Sequence, residues 1–483
     1  MIRDQDQLVA QIADEVVARL RERLAQGASV TLASPASARG YDGVFQTVDD
    51  AVAATTIAQQ KIAELSLDEL GRCIAAIRTL CSERAEELAR QELAETGLGR
   101  LDHKIAKLKL IQNVLGIEAM KTDARTNPSG LCLIERAPWG VIGMVLPATH
   151  SAPTLASNAI NILSARNTAV FSPHPAGAKV AATILQLINR AIEKETGIQN
   201  AIATVENSTM QTAEEIFNHP GISLLCVTGG PFVVKAAAKS GKRVIAAGPG
   251  NPPVVVDETA DLDVAARSIV TGASFDNNLL CIGEKEIFVV ASVADAFKRA
   301  MSRANAFELD AAAIERLTKA AFTYDGDGKG CAQAHVKREM VGKDVSVLAA
   351  AAGVRVPDGT DLLFGETDED HPFVQEEQMM PFVPVVRVRD FEDGVRAALK
   401  AEHGYRHTAI IHSQNIKNVT SMARRMNTTL FVHNEACAAA LGANGAGYLS
   451  FSIATPTGEG VTTPLTFTRE RQITIGGGSL RII

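Results

Sequence analysis

A regular alternation of short apolar runs with longer helical stretches constrains this chain more than any other feature. From Val141, strands are expected near 141–146, 168–172, 201–205, 222–227 and 243–246, with helices near 152–165, 175–195, 209–218 and 231–240 between them. Strand, helix and strand in repeating order is the pattern of a parallel sheet, so the expected class is α/β and the first unit reads as a dinucleotide-binding domain. A second α/β unit follows, with Val254–Val256, Glu286–Val290, Val383–Val388, Thr408–His412 and Leu430–His433 as strands and helices between. A chain of 483 residues, 46% of them hydrophobic, buries a large core and fits two or more domains.

Outside the alternation the patterning is helical. Leu8, Val9, Ile12, Ala13, Val16, Val17, Leu20 and Leu24 recur at three- and four-residue steps, which makes residues 1–25 an amphipathic helix. Residues 26–40, rich in Ala, Ser and Gly with Pro35, read as a flexible linker. A helix tethered in this way is either docked on the body or a helix-in-groove ligand for another protein. The pattern turns helical again from Thr47. Ser66 and Glu69 read as a capping box opening a helix that runs into the nineties, and Arg100 to Met120 supplies another. Leu131–Arg136 and Gln472–Ile475 are strand-like.

Composition excludes several classes. The net charge of −7 argues against a general nucleic-acid or anionic-membrane surface, each of which needs a basic face. With 4% aromatic residues there is little to stack single-stranded bases on. No run approaches the roughly 18 apolar residues of a membrane span, and the N-terminus lacks the pattern of a secretory signal. The seven cysteines (73, 81, 132, 226, 281, 331 and 437) form no C-x-x-C pair and no Cys/His cluster at zinc spacing, so no metal site is expected and a reducing cytoplasm fits best.

The chemistry is expected at Cys281. It ends a small polar loop from Gly272 and precedes the apolar run Ile287–Val290. A thiol at such a boundary can face a cleft beside a free backbone N–H, as attack on a carbonyl requires. A lone cysteine is more often an inert core residue. Asp276, Asn277 and Asn278, however, make this an unlikely core strand.

The stretch Gly272–Lys285 resembles the nucleophile segment of the aldehyde dehydrogenase superfamily, above all its CoA-acylating branch. Trp139–Gly143, Ser172–Pro175, Thr228–Pro231, Ala247–Asp257, His407–His412 and Ala454–Gly460 match in the same order. Residues 41–483 resemble the CoA-acylating propionaldehyde dehydrogenases of bacterial propanediol-utilisation microcompartments. The resemblance implies a Rossmann-type NAD/CoA-binding domain over 41–252, a catalytic domain over 253–434, and a return segment and oligomerisation strand over 435–483. Residues 121–138 would join that strand in an oligomerisation hairpin, giving a homodimer or homotetramer. Residues 1–25 would bind a microcompartment shell protein, which places the enzyme in the cytoplasm inside such a compartment.

The resemblance also implies roles. Cys281 would attack an aldehyde, hydride would leave for NAD, and the thioester formed on the enzyme would pass to coenzyme A. The hydrolytic branch carries a water-activating glutamate in an E-L-G-G segment; here Ala246–Asn251 has no carboxylate. A thiol needs a base less than water does, so CoA can resolve the thioester. His150 stands where relatives carry an oxyanion-binding asparagine, so it either donates to the oxyanion or is a spectator. The G-x-G-x-x-G fingerprint is absent. Its counterpart is Thr228, Gly229 and Gly230 before a helix, with Gly248 and Gly250 also assigned to cofactor binding. Ser172 is also assigned to cofactor binding, His174 matches the position near the adenosine ribose, and Glu377 matches the glutamate that holds the nicotinamide ribose. Rival readings are a hydrolytic aldehyde dehydrogenase, a non-catalytic scaffold member and a thiolase-like acyltransferase that turns over without nicotinamide.

Overall fold

The computed structural model describes residues 42–324 and 334–478. The amphipathic stretch 1–25 and the linker 26–40 lie outside them. Strand β1 (Val44–Phe45) leads into helices α1 (Val48–Ala63), α2 (Leu67–Glu83), α3 (Ala85–Thr96) and α4 (Leu101–Leu110). The hairpin β2 (Asp123–Asn127) and β3 (Gly130–Pro138) precedes the alternation itself. This runs β4 (Val141–Leu146), α5 (Ser151–Ser164), β5 (Thr168–Pro173), α6 (Ala178–Thr196), β6 (Ile202–Val205), α7 (Met210–Asn218), β7 (Leu224–Thr228), α8 (Pro231–Ala238) and β8 (Arg243–Ala247). Strands β4 to β7 are buried at every residue, as parallel strands covered on both faces must be. Every pairing in this sheet is parallel, in the order β1-β6-β5-β4-β7-β8.

The second sheet contains β9 (Pro253–Val256), β10 (Glu286–Val290), β11 (Ala306–Glu308), β12 (Leu362–Thr367), β13 (Phe382–Val388), β14 (Thr408–His412) and β15 (Leu430–His433), with α9 (Leu262–Ser274) between β9 and β10. It too is wholly parallel, ordered β11-β12-β13-β10-β9-β14-β15. A third, antiparallel sheet joins β2 and β3 to β16 (Thr468–Ile475), with Thr468 opposite Pro138 and Ile475 opposite Leu131. Among the described residues no helix is long and apolar enough to cross a membrane.

Three elements differ from the sequence expectation. The capping box at Ser66 forms, with Glu69 N donating to Ser66 Oγ at 3.2 Å and Ser66 N to Glu69 Oε2 at 2.8 Å. The helix it opens breaks at Arg84 (φ −99°, ψ 12°), whose guanidinium bonds Glu87, so α2 and α3 replace one long helix. The helix expected to reach Met120 stops at Leu110 and gives way to two short 3-10 turns, because Val114 turns extended and bridges to Leu449. Strands β11 and β12 extend the second sheet beyond the strands expected for it.

Candidate active site

α9 delivers the cysteine stretch. After its last residue the chain passes Phe275, and Asp276, Asn277 and Asn278 take left-handed conformations with φ of 51°, 56° and 64°. Asn and Asp are the non-glycine residues that reach this region at least cost. Each is then held by its side chain. Asn277 Nδ2 donates to Gly342 O (3.0 Å) and Asp344 Oδ1 (2.9 Å), and Asn278 Nδ2 donates to Ala273 O and Glu284 O, both at 2.9 Å. The fully buried Lys285 ammonium donates to Asn278 O (3.0 Å), Leu280 O (2.9 Å) and Asn278 Oδ1. A buried polar turn this fully bonded is stiff, and it presents Cys281 to a cavity.

That cavity, about 80 Å³, has apolar walls from Phe275, Leu280, Ile282, Leu449, Phe451 and Ile453. Its polar lining comes from Cys281, His150, Lys107 and Ser450. His150 enters from the turn before α5, its ring tilted 42° to Phe451 with centroids 5.9 Å apart. Burial, together with Lys107 and Lys104, pushes its imidazole down to about 3. The ring is therefore neutral, and its buried Nδ1 has no protein partner. Such a ring donates one N–H and cannot act as a cation. Burial also pushes the Cys281 thiol up to about 12; the Glu377 charge adds to this, while Lys285 and the backbone N–H groups of Cys281 and Ile282 oppose it.

Lys107 went unnoticed in the sequence. It lies on α4, donates to Asp276 Oδ2 at 2.5 Å, and shares Asp276 with Lys104 at 3.7 Å; Lys104 also faces Glu92 at 4.0 Å. All four side chains are at most 1% exposed, and burial raises the Glu92 carboxyl. Burial alone would raise the Asp276 carboxyl, but Lys107 and Lys104 outweigh it and hold the group below the usual aspartate value. The signal available was two lysines at three-residue spacing among Leu101, Ile105 and Leu108, on a face that would otherwise be wholly apolar.

Ser172, His174, Thr228, Gly229, Gly230 and Gly248 lie at the C-terminal ends of first-sheet strands, Gly250 lies in the link to β9, and Glu377 comes from the second α/β unit ahead of β13. In the first sheet the strand order reverses across β4, which neighbours both β5 and β7, and such a switch point is where open α/β sheets bind nucleotides. Thr228 ends β7 with Oγ1 2.8 Å from Ser452 Oγ. Gly230 caps α8 without a side-chain cap bond, leaving its first N–H groups for a ligand. A Cβ on Gly229 would meet Val233 Cγ1 at 2.8 Å, on Gly248 it would meet Pro456 Cγ at 2.8 Å, and on Gly250 both Cys281 O and His407 Cγ at 2.8 Å. Two backbones, at Gly250 and Cys281, thus approach closely behind the cysteine. Glu377 accepts from Gly250 N–H, and burial raises it to about 7. Ser172, buried at the end of β5, lies 3.4 Å from Ser208 Oγ; His174 is exposed, with Nδ1 accepting from Ala176 N at 3.1 Å. Cys281, His150, Glu377 and Gly250 are thus brought around one centre, and Ser172 and His174 stand apart at the end of β5. His407, which carried no assignment, packs on Gly250 with its buried Nε2 unpartnered. Among the described residues no three His, Cys, Asp or Glu side chains group as a metal site.

A thiol beside a close-packed glycine segment and facing a small apolar cavity is placed to attack the carbonyl carbon of a small apolar substrate. A model of the aldehyde dehydrogenase family matches residues 36–323. The acetylating acetaldehyde dehydrogenase of Salmonella typhimurium is 47% identical over 441 residues, covering 91% of this chain and 93% of its own. The CoA-propanoylating propanal dehydrogenase of the same organism is 38% identical over 466 residues, 96% of this chain and 98% of its own. The solved propionaldehyde dehydrogenase of Rhodopseudomonas palustris, with bound CoA and an acylated cysteine, is 40% identical with a TM-score of 0.87, covering 90% of this chain and 98% of that one. The chain belongs to the aldehyde dehydrogenase family.

Proposed function

We infer that the protein oxidises a short aliphatic aldehyde to its acyl-CoA, with NAD as oxidant and coenzyme A as acyl acceptor. The observation that carries this is Cys281 at the wall of a small apolar cavity, backed by Ala246–Asn251, a segment without a carboxylate to activate water. Cys281 Sγ bonds to the aldehyde carbon, forming a thiohemiacetal whose oxygen is held by His150 and by backbone N–H. NAD, when bound, supplies a cationic ring that accepts the hydride from that carbon. Thr228, Gly229, Gly230, Gly248, Gly250, Ser172, His174 and Glu377 would hold it. Loss of hydride and a proton leaves a thioester on Cys281, the CoA thiol takes the acyl group, and the Cys281 thiol returns. The sum is aldehyde, NAD and CoA to acyl-CoA, NADH and a proton. Apolar walls and limited space favour propionaldehyde; acetaldehyde is the second reading, favoured by the higher identity to the acetaldehyde enzyme, 47% against 38%.

NADH formation from an aldehyde panel, with and without CoA, tests this. The expected outcome is one equivalent of NADH per subunit without CoA and sustained turnover with it. Sustained turnover without CoA would make the enzyme hydrolytic, and acyl transfer without nicotinamide would make it a thiolase-like acyltransferase.

The assembly belongs to the same proposal. The outer strand β2 is exposed along its whole length, and an unpaired edge of this kind suits a homodimer or homotetramer built through the third sheet. Residues 1–25 direct the enzyme to a microcompartment shell; a 39% identical propionaldehyde dehydrogenase comes from the fucose-utilisation microcompartment of Clostridium phytofermentans. Deleting residues 1–40 should leave activity and oligomeric state intact and abolish co-localisation with shells. Loss of activity or assembly would make this segment part of the body instead.

A further inference from the structure

The turn that leads to Cys281 is held from one side by α4, and one of the holding contacts titrates. The His103 ring stacks on Phe275, with centroids 4.5 Å apart and planes 19° from parallel. Its Nδ1 accepts the backbone N–H of Asp276 at 2.8 Å. An imidazole nitrogen that accepts an N–H carries no proton, so this contact exists only with neutral His103, whose proton is then on Nε2, 3.8 Å from Asp102 Oδ2. Phe275 is a wall of the cavity that holds Cys281, and Asp276 opens the left-handed turn five positions before the sulfur.

We propose that His103 is a positioning residue for the nucleophile and the aldehyde cavity: neutral, it holds Phe275 and the start of the turn in place; protonated, it loses the Asp276 N–H and releases both, so that acylation of Cys281 falls away in acid. This rests on Cys281 being the nucleophile. The charged groups facing the ring come from three sides. On its own helix and at that helix's N-cap are Asp102 and Arg100; across the contact is Asp276; ahead of β12 is Asp361, paired with Arg100 at 3.3 Å. Burial, the largest influence, and Arg100 disfavour the imidazolium, while the three aspartates favour it, and the balance holds the ring below the ordinary histidine value. Lys104 and Lys107, also on α4, address the Asp276 carboxylate. The His103 side chain is 22% exposed, so solvent protons reach it.

The NADH burst without CoA isolates acylation and can be followed across roughly pH 5 to 8. His103→Asn offers an acceptor oxygen that does not titrate. Its burst rate relative to the unaltered enzyme should stay level above the histidine's own titration and rise by about tenfold per pH unit below it. His103→Phe keeps the ring contact with Phe275 but leaves the Asp276 N–H without an acceptor, and should lower the burst rate by roughly tenfold even near pH 8, where His103 is neutral. Parallel pH profiles for the unaltered enzyme and His103→Asn, or an unchanged burst rate in His103→Phe near pH 8, would overturn the proposal. Mass spectrometry of the acyl adduct after the burst separates the two ideas. An adduct away from Cys281 sinks the nucleophile reading, whereas parallel profiles with the adduct on Cys281 sink only the role of His103.

Discussion

Cys281 sits in surroundings that work against its own ionisation. A thiol pushed up to about 12 by burial and Glu377 leaves on the order of 10⁻⁵ thiolate at pH 7. The resting protein is therefore expected to react slowly with iodoacetamide, the rate climbing about tenfold per pH unit from roughly pH 7 to 10. A plateau below about pH 9 would mean that another group already ionises the thiol. Cys281→Ala removes one sulfur and no framework contact, so it should abolish the NADH burst while NAD binding and assembly persist. His150 is legible in a different way. Its place in the chain leaves it either a donor to the oxyanion or a spectator, and the structure adds a ring that burial keeps neutral, with Nδ1 unpartnered. His150→Ala should slow acylation by roughly 10²- to 10³-fold, the usual effect of losing one such donor. A change below about threefold would leave His150 a spectator.

At the scale of elements, α4 and the turn before Cys281 act as one unit through Asp276, which accepts Arg100 N at 2.8 Å as well as the Lys107 ammonium. Lys107→Met would leave a buried carboxylate short of its main counter-charge. Breaking a buried pair in this way typically costs about 3–5 kcal/mol, far more than an exposed pair is worth. The expected result is a clear drop in melting temperature, partly restored by adding Asp276→Asn; additive losses in the double variant would mean the pair is not coupled. The only sequence trace of this pair is two lysines among apolar residues on one helix, and a lysine at helical spacing reads as solvated until tertiary structure buries it. The strands β4 to β7, β9, β10, β13 and β14 were legible because a doubly covered parallel strand must be an apolar run, and the edge strands β8 and β15 because their inner residues still are. β12 was not. Gly365 interrupts its pattern, and only the fold shows why: a Cβ there would meet Ile314 Cδ1 at 2.6 Å and Leu309 O at 2.8 Å. The break between α2 and α3 at Arg84 likewise has no proline or glycine to announce it.

For the whole molecule, buried ionisable groups set an acid limit whose position follows from two opposing sets. His150 and His412, pushed down to about 3 by burial, and His407, to about 4, are neutral when folded but bind a proton below about 6.5 when unfolded. His103, His174 and His371 shift the same way. Because the unfolded state binds more protons, each costs stability as pH falls through and below the ordinary histidine value. The second set is Glu284 and Glu377, raised by burial to about 7, with Glu92, Glu286, Glu376 and Glu402 raised likewise. Here the folded state binds more protons between the ordinary carboxylate value and the raised one, so each gains stability as pH falls through that window. Between about pH 4.5 and 6.5 the two sets act in opposite directions. Below about 4.5 the glutamates are protonated in both states and contribute no further slope, while His150, His407 and His412 still discriminate. At about 1.4 kcal/mol per pH unit for each group, His150 and His412, with a partial share from His407, remove on the order of 3 kcal/mol per unit, a large share of a typical stability. The melting temperature, followed by the fluorescence of Trp139, the only tryptophan, should therefore stay nearly level from about pH 7 to 5 and collapse between about 4.5 and 3.5. His412→Asn, if it folds, should move that edge to lower pH. A steady decline beginning at about pH 6.5 would show that the buried glutamates ionise in the folded protein and provide no compensation.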